Sequence, residues 1–420
     1  MEYVKMKILP CILCLTILTA AVLATSGCTA KVQAANLMKD INRQNVSGLT
    51  PDDEFIYSST DFAVKLFRLS RSDRENSMVS PLSVMLALAM MANGADGETK
   101  SEAERLLGKN IPLEKLNRYL YSYAESLPSE NKEKLNIANS IWFRKSRLTV
   151  EKQFLQTNAD YYGADIYESA FDKQTLKDIN NWIKNNTDGM IDKMLDNIDY
   201  ECVMYIINAV AFDAEWQTKY KKSDIYDGRF TAVNGEQNIV SMMMSHEATY
   251  IKTDDATGFI KPYKNGNYSF VALLPNKDIG INEYVSSLNG EKLINTLKRA
   301  TNSGVTVHMP KFTCEYSIEL NNALKTLGIE TAFDCEKADF SKLGKSDAGN
   351  IYISNVLHKT FFSVDDLGTR AGAATVITIK DATAPMVENI VRLDRPFVYA
   401  VIDNNTNIPV FIGTIMNISK

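Results

Sequence analysis

Three histidines, His246, His308 and His358, are the only imidazoles available for chemistry in this chain. None stands in HExxH or another spacing that would bring two of them to one metal ion. Acidic residues are many, and their spacing neither shows nor excludes a catalytic carboxylate pair. No GxSxG turn presents a serine nucleophile. Gly344-Lys345-Ser346 ends like a phosphate loop, but Asp339 stands where that motif needs its first glycine, and the strand–loop–helix context is missing. Cys202, Cys314 and Cys335 are widely spaced and odd in number, so they form no disulfide framework. One disulfide with a leftover thiol would still suit an oxidising compartment. Nothing here is positive evidence of catalysis, a cofactor or a metal.

The segment Gly368-Thr-Arg-Ala-Gly-Ala-Ala-Thr-Val-Ile-Thr-Ile-Lys380 carries a different kind of chemistry. Read with period 2, one face is Thr369, Ala371, Ala373, Thr375, Ile377 and Ile379; the other is Arg370, Gly372, Ala374, Val376, Thr378 and Lys380. Both cations fall on the second face, which is the pattern of a strand with one buried side. Yet its first half is small residues and glycine, which weaken a strand and suit a hinge. Asp381-Ala382-Thr383-Ala384-Pro385 then reads as an exposed loop. A stretch suited both to a loop and to a central strand is a candidate conformational switch.

The elements around it must give such a switch somewhere to go. The chain has 420 residues, 45% hydrophobic and 23% charged, the balance of a globular protein. A net charge of −5 with scattered basic residues argues against nucleic-acid binding. Periodicity predicts helices over 58–70, 81–92, 100–108, 112–127, 150–162, 174–188, 281–299 and 317–327. Strand-like runs occupy 135–143, 203–212, 239–244, 248–253, 258–263, 268–275, 304–309, 351–365, 390–403 and 408–417. Helices crowd the first half and strands the second, without βαβ spacing. That predicts an α+β fold with mostly antiparallel sheets, in one domain over 51–420.

The N-terminus reads as a targeting segment over 1–28. Lys5 and Lys7 precede an apolar run from Ile8 to Ala24, followed by Thr25-Ser-Gly-Cys28. Small residues directly before Cys28 resemble a bacterial lipobox, although Thr25 stands where leucine is usual. Lipid attachment at Cys28 is the expectation; an uncleaved anchor and simple secretion are the alternatives. All three place the domain outside the cytoplasm, on the cell surface or secreted. Residues 29–50 are polar and aperiodic, and read as a flexible tether.

Several separated blocks resemble one family, the serpins, over about 52–420. They are Asn76-Ser-Met-Val-Ser-Pro-Leu-Ser83, Asn93-Gly-Ala-Asp-Gly-Glu-Thr99, Leu135-Asn-Ile-Ala-Asn-Ser-Ile-Trp142 and Asn180-Asn-Trp182 with Thr187-Asp-Gly189. Asn208-Ala-Val-Ala-Phe212 with Trp216, Pro310-Lys-Phe312, Val356-Leu-His-Lys359, Leu393-Asp-Arg-Pro-Phe397 and Phe411-Ile-Gly413 complete the set, in family order.

The resemblance implies a fold of three mostly antiparallel sheets with about nine helices and an exposed reactive-centre loop over about 366–392. It implies a protease inhibitor, not an enzyme, that needs no cofactor and acts as a monomer. A target serine protease, or a papain-like cysteine protease, would cleave the loop and be trapped as an acyl-enzyme while the cut loop inserts into the central sheet. The hinge would be Gly368, Thr369, Arg370, Ala371, Gly372, Ala373, Ala374 and Thr375. Arg370 replaces the family's usual glutamate but faces outward by alternation. Counting from Gly368 places the scissile bond between Ala382 and Thr383, which suits elastase-like or subtilisin-like enzymes. A register shifted by two residues puts it between Lys380 and Asp381, which suits trypsin-like ones. Ser80, Ser83, Asn208 and His358 match the family's shutter beneath the central sheet. Trp216, Lys311 and Asp366 match its breach, where Asp366 replaces a longer glutamate and is expected to pair more loosely with Lys311. A non-inhibitory serpin acting as a binding or carrier protein is the alternative.

Overall fold

The near-continuous apolar run Met204–Glu215 is buried at every residue but Asp213, as a strand covered on both faces must be. It is the middle of the largest sheet. In this computed structural model, which describes residues 31–128, 133–145, 148–199, 202–347, 349–369 and 389–418, that sheet has seven strands. They are β1 (Ala35–Asn36), β2 (Glu133–Arg144), β3 (Asp165–Ser169), β4 (Met204–Glu215), β5 (Phe312–Glu319), β6 (Asn355–Val364) and β7 (Gly368–Thr369), in the spatial order β1-β3-β2-β4-β7-β6-β5. Sheets of six and four strands and a two-stranded ribbon complete the β structure, and nine α-helices are found among the described residues. The α+β architecture expected from the sequence is the one observed.

Alternation along β4 assigns its two faces. Ile206, Val210, Phe212 and Ala214 point to one side, Tyr205, Ile207 and Ala209 to the other. Beneath the first face runs the helix Pro81–Ala92, whose sequence PLSVMLALAMMA is buried at every position. A helix apolar all round belongs inside a protein, and Pro81 sits at its start, where the missing N–H costs little. The upper part of the same face packs on the six-stranded sheet through Phe212, Tyr268, Tyr399 and Phe411. The other face is covered by the helix Lys173–Asn186, which lays Ile179, Trp182 and Ile183 on Trp142, Tyr205 and Ile207. Asp172 caps that helix, accepting from the N–H groups of Gln174 and Thr175.

Four expectations need correction. The strand expected over 390–403 is two, Ile390–Arg392 in the four-stranded sheet and Phe397–Asp403 in the six-stranded one. The helix expected over 281–299 is two, Ile281–Ser287 and Gly290–Lys298, because Asn289 caps the second by accepting from Lys292 N. Gly290 also packs so closely that a Cβ there would lie 2.6 Å from Asp61 Cα. The helix expected from 317 begins only at Asn321, since β5 continues to Glu319 through its ladder to β6. The flexible tether expected over 29–50 does not hold for its described part, 31–50. There β1 pairs with β3, Ala34 N–H donates to Asp178 at 2.8 Å, and Gln44 N–H donates to Asp160 at 2.7 Å. Leu37, Met38, Ile41 and Leu49 pack on the main core. Their irregular spacing matches the surface they cross and not a helix or strand period, so periodicity did not reveal them. The leader and Cys28 lie outside the described residues.

Candidate functional site

β4 and β6 are joined directly in the lower half of the central sheet. Their parallel ladder runs from Tyr205↔Asn355 to Ala211↔Phe361. Above it the two strands part, and β7 lies between them. Gly368 pairs with Glu215 and Thr369 with Ala214 on one side, while Thr369 pairs with Val364 on the other. The candidate switch therefore starts as a two-residue strand inside the cleft. Only its first residues can be placed: Arg370, Ala371, Gly372, Ala373, Ala374 and Thr375, like Lys380, Asp381, Ala382 and Thr383, lie outside the described residues.

Gly368 is required by close approach. A Cβ there would stand 2.0 Å from the Ala214 carbonyl oxygen and 2.7 Å from Glu215 Cα. Thr369 is fully buried, and its hydroxyl lies 2.7 Å from that of Tyr263. This is the inward direction the period-2 reading gave Thr369. The turn before it is built on Asp365, whose Oδ1 accepts from Leu367 N at 2.8 Å and Gly368 N at 3.1 Å. Asp365 and Tyr263 were missed from sequence; the Asp-Asp-Leu-Gly turn signature was the available signal for the first.

The three breach residues meet around this root. Trp216 is buried and stacks on Tyr263 with centroids 4.6 Å apart and planes 11° apart. Its indole N–H donates to the Asp365 carbonyl at 2.9 Å, and its backbone N–H to the Leu367 carbonyl at 2.9 Å. Lys311 Nζ bonds Asp366 Oδ1, each side chain about a third exposed. The shorter aspartate still reaches its lysine.

The four shutter residues meet lower in the sheet, at Asn208 on β4, whereas the loop root pairs with Ala214 of the same strand. His358 on β6 and Asn208 on β4 are register partners. The Ser80 backbone N–H donates to His358 Nε2 at 3.0 Å, so the imidazole proton sits on Nδ1 and is donated to Asn208 Oδ1. The Asn208 amide donates to Ser83 Oγ and to Asn139 Oδ1. Ser80 thus acts through its backbone, not its hydroxyl. Asn139, on β2 opposite Asn208, completes the cluster; sequence reading quoted its block but not the residue. Burial pushes the His358 pKa down to about 3, which keeps the ring neutral. No carboxylate touches it among the described residues, so the cluster lacks the orienting acid of a hydrolase triad. Its chemistry is a seam of hydrogen bonds that must break if β4 and β6 separate.

A family model described as serpin (serine protease inhibitor) matches residues 57–418. The chain belongs to the serpin family. Among curated serpins, it is 30% identical to leukocyte elastase inhibitor of Equus caballus over 372 residues, covering 85% of this chain and 97% of that one. Among solved serpin structures, the thermophilic serpin tengpin in its native state superposes with a TM-score of 0.90 at 54% identity, covering 92% of this chain and all of tengpin. The same protein in its latent state gives 0.79 at 51% identity, covering 90% and 100%. The described arrangement follows the native serpin more closely than the latent one, in keeping with the direct ladder between β4 and β6.

Proposed function

We propose that this serpin is a suicide-substrate inhibitor of serine proteases of elastase-like or subtilisin-like specificity. The observation that carries the reading is the cleft between β4 and β6, with Gly368 and Thr369 already seated in it and the residues that follow small on the inward face. Insertion continues the strand that β7 begins. Each step replaces a β4–β6 contact by two new ladders, and Ile377 and Ile379 bury apolar surface at about 1.5–3 kcal/mol each.

The covalent step belongs to the protease. Its serine oxygen attacks the Ala382 carbonyl carbon, the bond to the Thr383 nitrogen breaks, and the new amine leaves with the proton from the catalytic base. The loop, now held by one ester, inserts and carries the protease across the molecule. Deacylation fails because the displaced active site has lost its geometry. An alanine before the cut fits a shallow specificity pocket, and similarity to an elastase inhibitor supports the same class. Papain-like cysteine proteases, which form the corresponding thioester, are a second target class. A lipid on Cys28 would hold the inhibitor at the cell surface, where it acts as a monomer on extracellular proteases.

Cleavage with elastase, subtilisin and trypsin, followed by sequencing of the released C-terminal peptide, tests the assignment. A peptide beginning at Thr383 is expected from the first two enzymes. One beginning at Asp381 overturns the Ala382 site in favour of Lys380.

A further inference from the structure

A buried cation sits behind the breach, and neither the shutter nor the Lys311–Asp366 pair accounts for it. Lys261, on the strand Ala256–Pro262, has a side chain only 1% exposed. Its Nζ lies 2.6 Å from Glu247 Oε1, and Glu247, at the end of the strand Gln237–Glu247, is 7% exposed. The same ammonium donates to the Thr218 carbonyl at 3.2 Å and stands 4.6 Å from the Tyr220 ring centroid and 5.3 Å from that of Trp216. The Ser245 hydroxyl is within donating reach of Glu247 Oε1 at 2.6 Å and of the Tyr220 hydroxyl oxygen at 3.2 Å. A fully buried ion pair is costly to desolvate, and apolar residues would fill the space at less cost. What this one does is hold three residues of a single segment, 216–220, from beneath.

That segment carries the root of the loop. Trp216 N–H donates to the Leu367 carbonyl, Tyr220 N–H to the Asp366 carbonyl at 3.1 Å, and the Trp216 indole to the Asp365 carbonyl. Gln217 N–H donates back to Pro262, next to Lys261 itself, at 3.1 Å. Three consecutive carbonyls before Gly368 are therefore held by two residues, Trp216 and Tyr220, whose rings both stand against one lysine. We propose that Lys261, paired with Glu247, is a positioning residue for loop insertion: it fixes 216–220 as the post from which residues 365–367 direct the cleaved loop between β4 and β6. The role rests on the inhibitor reading. It deepens that reading by naming what sets the direction and rate of insertion against deacylation. A loosened post slows insertion, so more acyl-enzyme hydrolyses and more inhibitor is consumed per protease trapped.

The test compares wild type, Lys261→Met, Glu247→Gln and the double variant Lys261→Met/Glu247→Gln, all as full chains against elastase. Three quantities are read: the stoichiometry of inhibition, the rate of loop cleavage, and the melting temperature before and after cleavage. Each single variant melts lower, because it leaves a charge or a charged partner's site unpaired. The double variant recovers melting temperature, since no buried charge remains. The stoichiometry is expected to rise at least threefold in all three variants, including the double, with the cleavage rate unchanged. A stoichiometry that recovers together with melting temperature in the double variant makes the pair merely structural and overturns the proposal, as does an unchanged stoichiometry in folded variants. Wild type that is cleaved without any rise in melting temperature has no insertion to position; that result removes this role and the inhibitor reading together. Wild type that inserts and inhibits, with variants that match it, removes this role alone.

Discussion

Acid should unlock the central sheet through His358. Burial holds that imidazole neutral, with a pKa of about 3 against 6.5 in the unfolded chain. As pH falls through 6.5 the unfolded chain takes up a proton and the folded one does not, so the unfolded state gains. Stability from this group is complete above 6.5 and is lost progressively between 6.5 and about 3. At pH 5 the loss is one and a half pKa intervals, or about 2 kcal/mol. The structure says where that loss is felt. A protonated Nε2 cannot accept from Ser80 N–H, and the ring lies on the ladder that joins β4 to β6. Urea unfolding of wild type and His358→Gln at pH 7.5 and pH 5.0 measures it, with the variant's own pH dependence subtracted to remove every other carboxylate and histidine. The expected difference of differences is about 2 kcal/mol, with wild type the more acid-sensitive. Equal acid sensitivity in the two chains, or an NMR titration of His358 near 6.5, would refute the reasoning.

Gly368→Val places side-chain carbon against the Ala214 carbonyl and should expel the hinge from the cleft; inhibition stoichiometry should rise at least several-fold while the loop is still cut. Asp365→Ala removes the acceptor for two backbone N–H groups and should cost roughly 1–3 kcal/mol, seen as a lower melting temperature. Thr375→Arg puts a charge on the face that the period-2 pattern turns inward, and on the proposed function should turn the inhibitor into a substrate, read as full cleavage with no covalent band. Asp366→Asn breaks a pair about a third exposed and should change stability by less than about 1 kcal/mol, measured by urea unfolding.

Residues whose role is set by local pattern were legible in the sequence. The buried helix from Pro81, the strand Met204–Glu215 and the inward direction of Thr369 all follow from periodicity and proline placement. Ser83, Asn208, His358, Trp216, Lys311 and Asp366 were singled out by blocks of residues, and the fold gathers them into two clusters around one seam. What stayed hidden depends on contacts far apart in the chain. Asn139 joins the shutter only because β2 pairs with β4 at Asn208, and Tyr263 reaches Thr369 across 106 residues. Lys261 and Glu247 sit in strands that alternate well enough to read, yet nothing local says that a lysine on such a strand turns inward to a carboxylate. The docking of 31–50 was invisible for the same reason: its apolar residues follow the groove they fill and have no period of their own.

On the proposed function, cleavage turns the hinge loop into a strand of the central sheet and traps the protease that cut it. The most direct measurement is an equimolar reaction with elastase, resolved under denaturing conditions and paired with the melting curve of the loop-cleaved chain. A covalent band that survives SDS, together with a cleaved form that melts well above the intact one, is the predicted result. Complete cleavage with free, active elastase and an unchanged melting temperature would contradict the account.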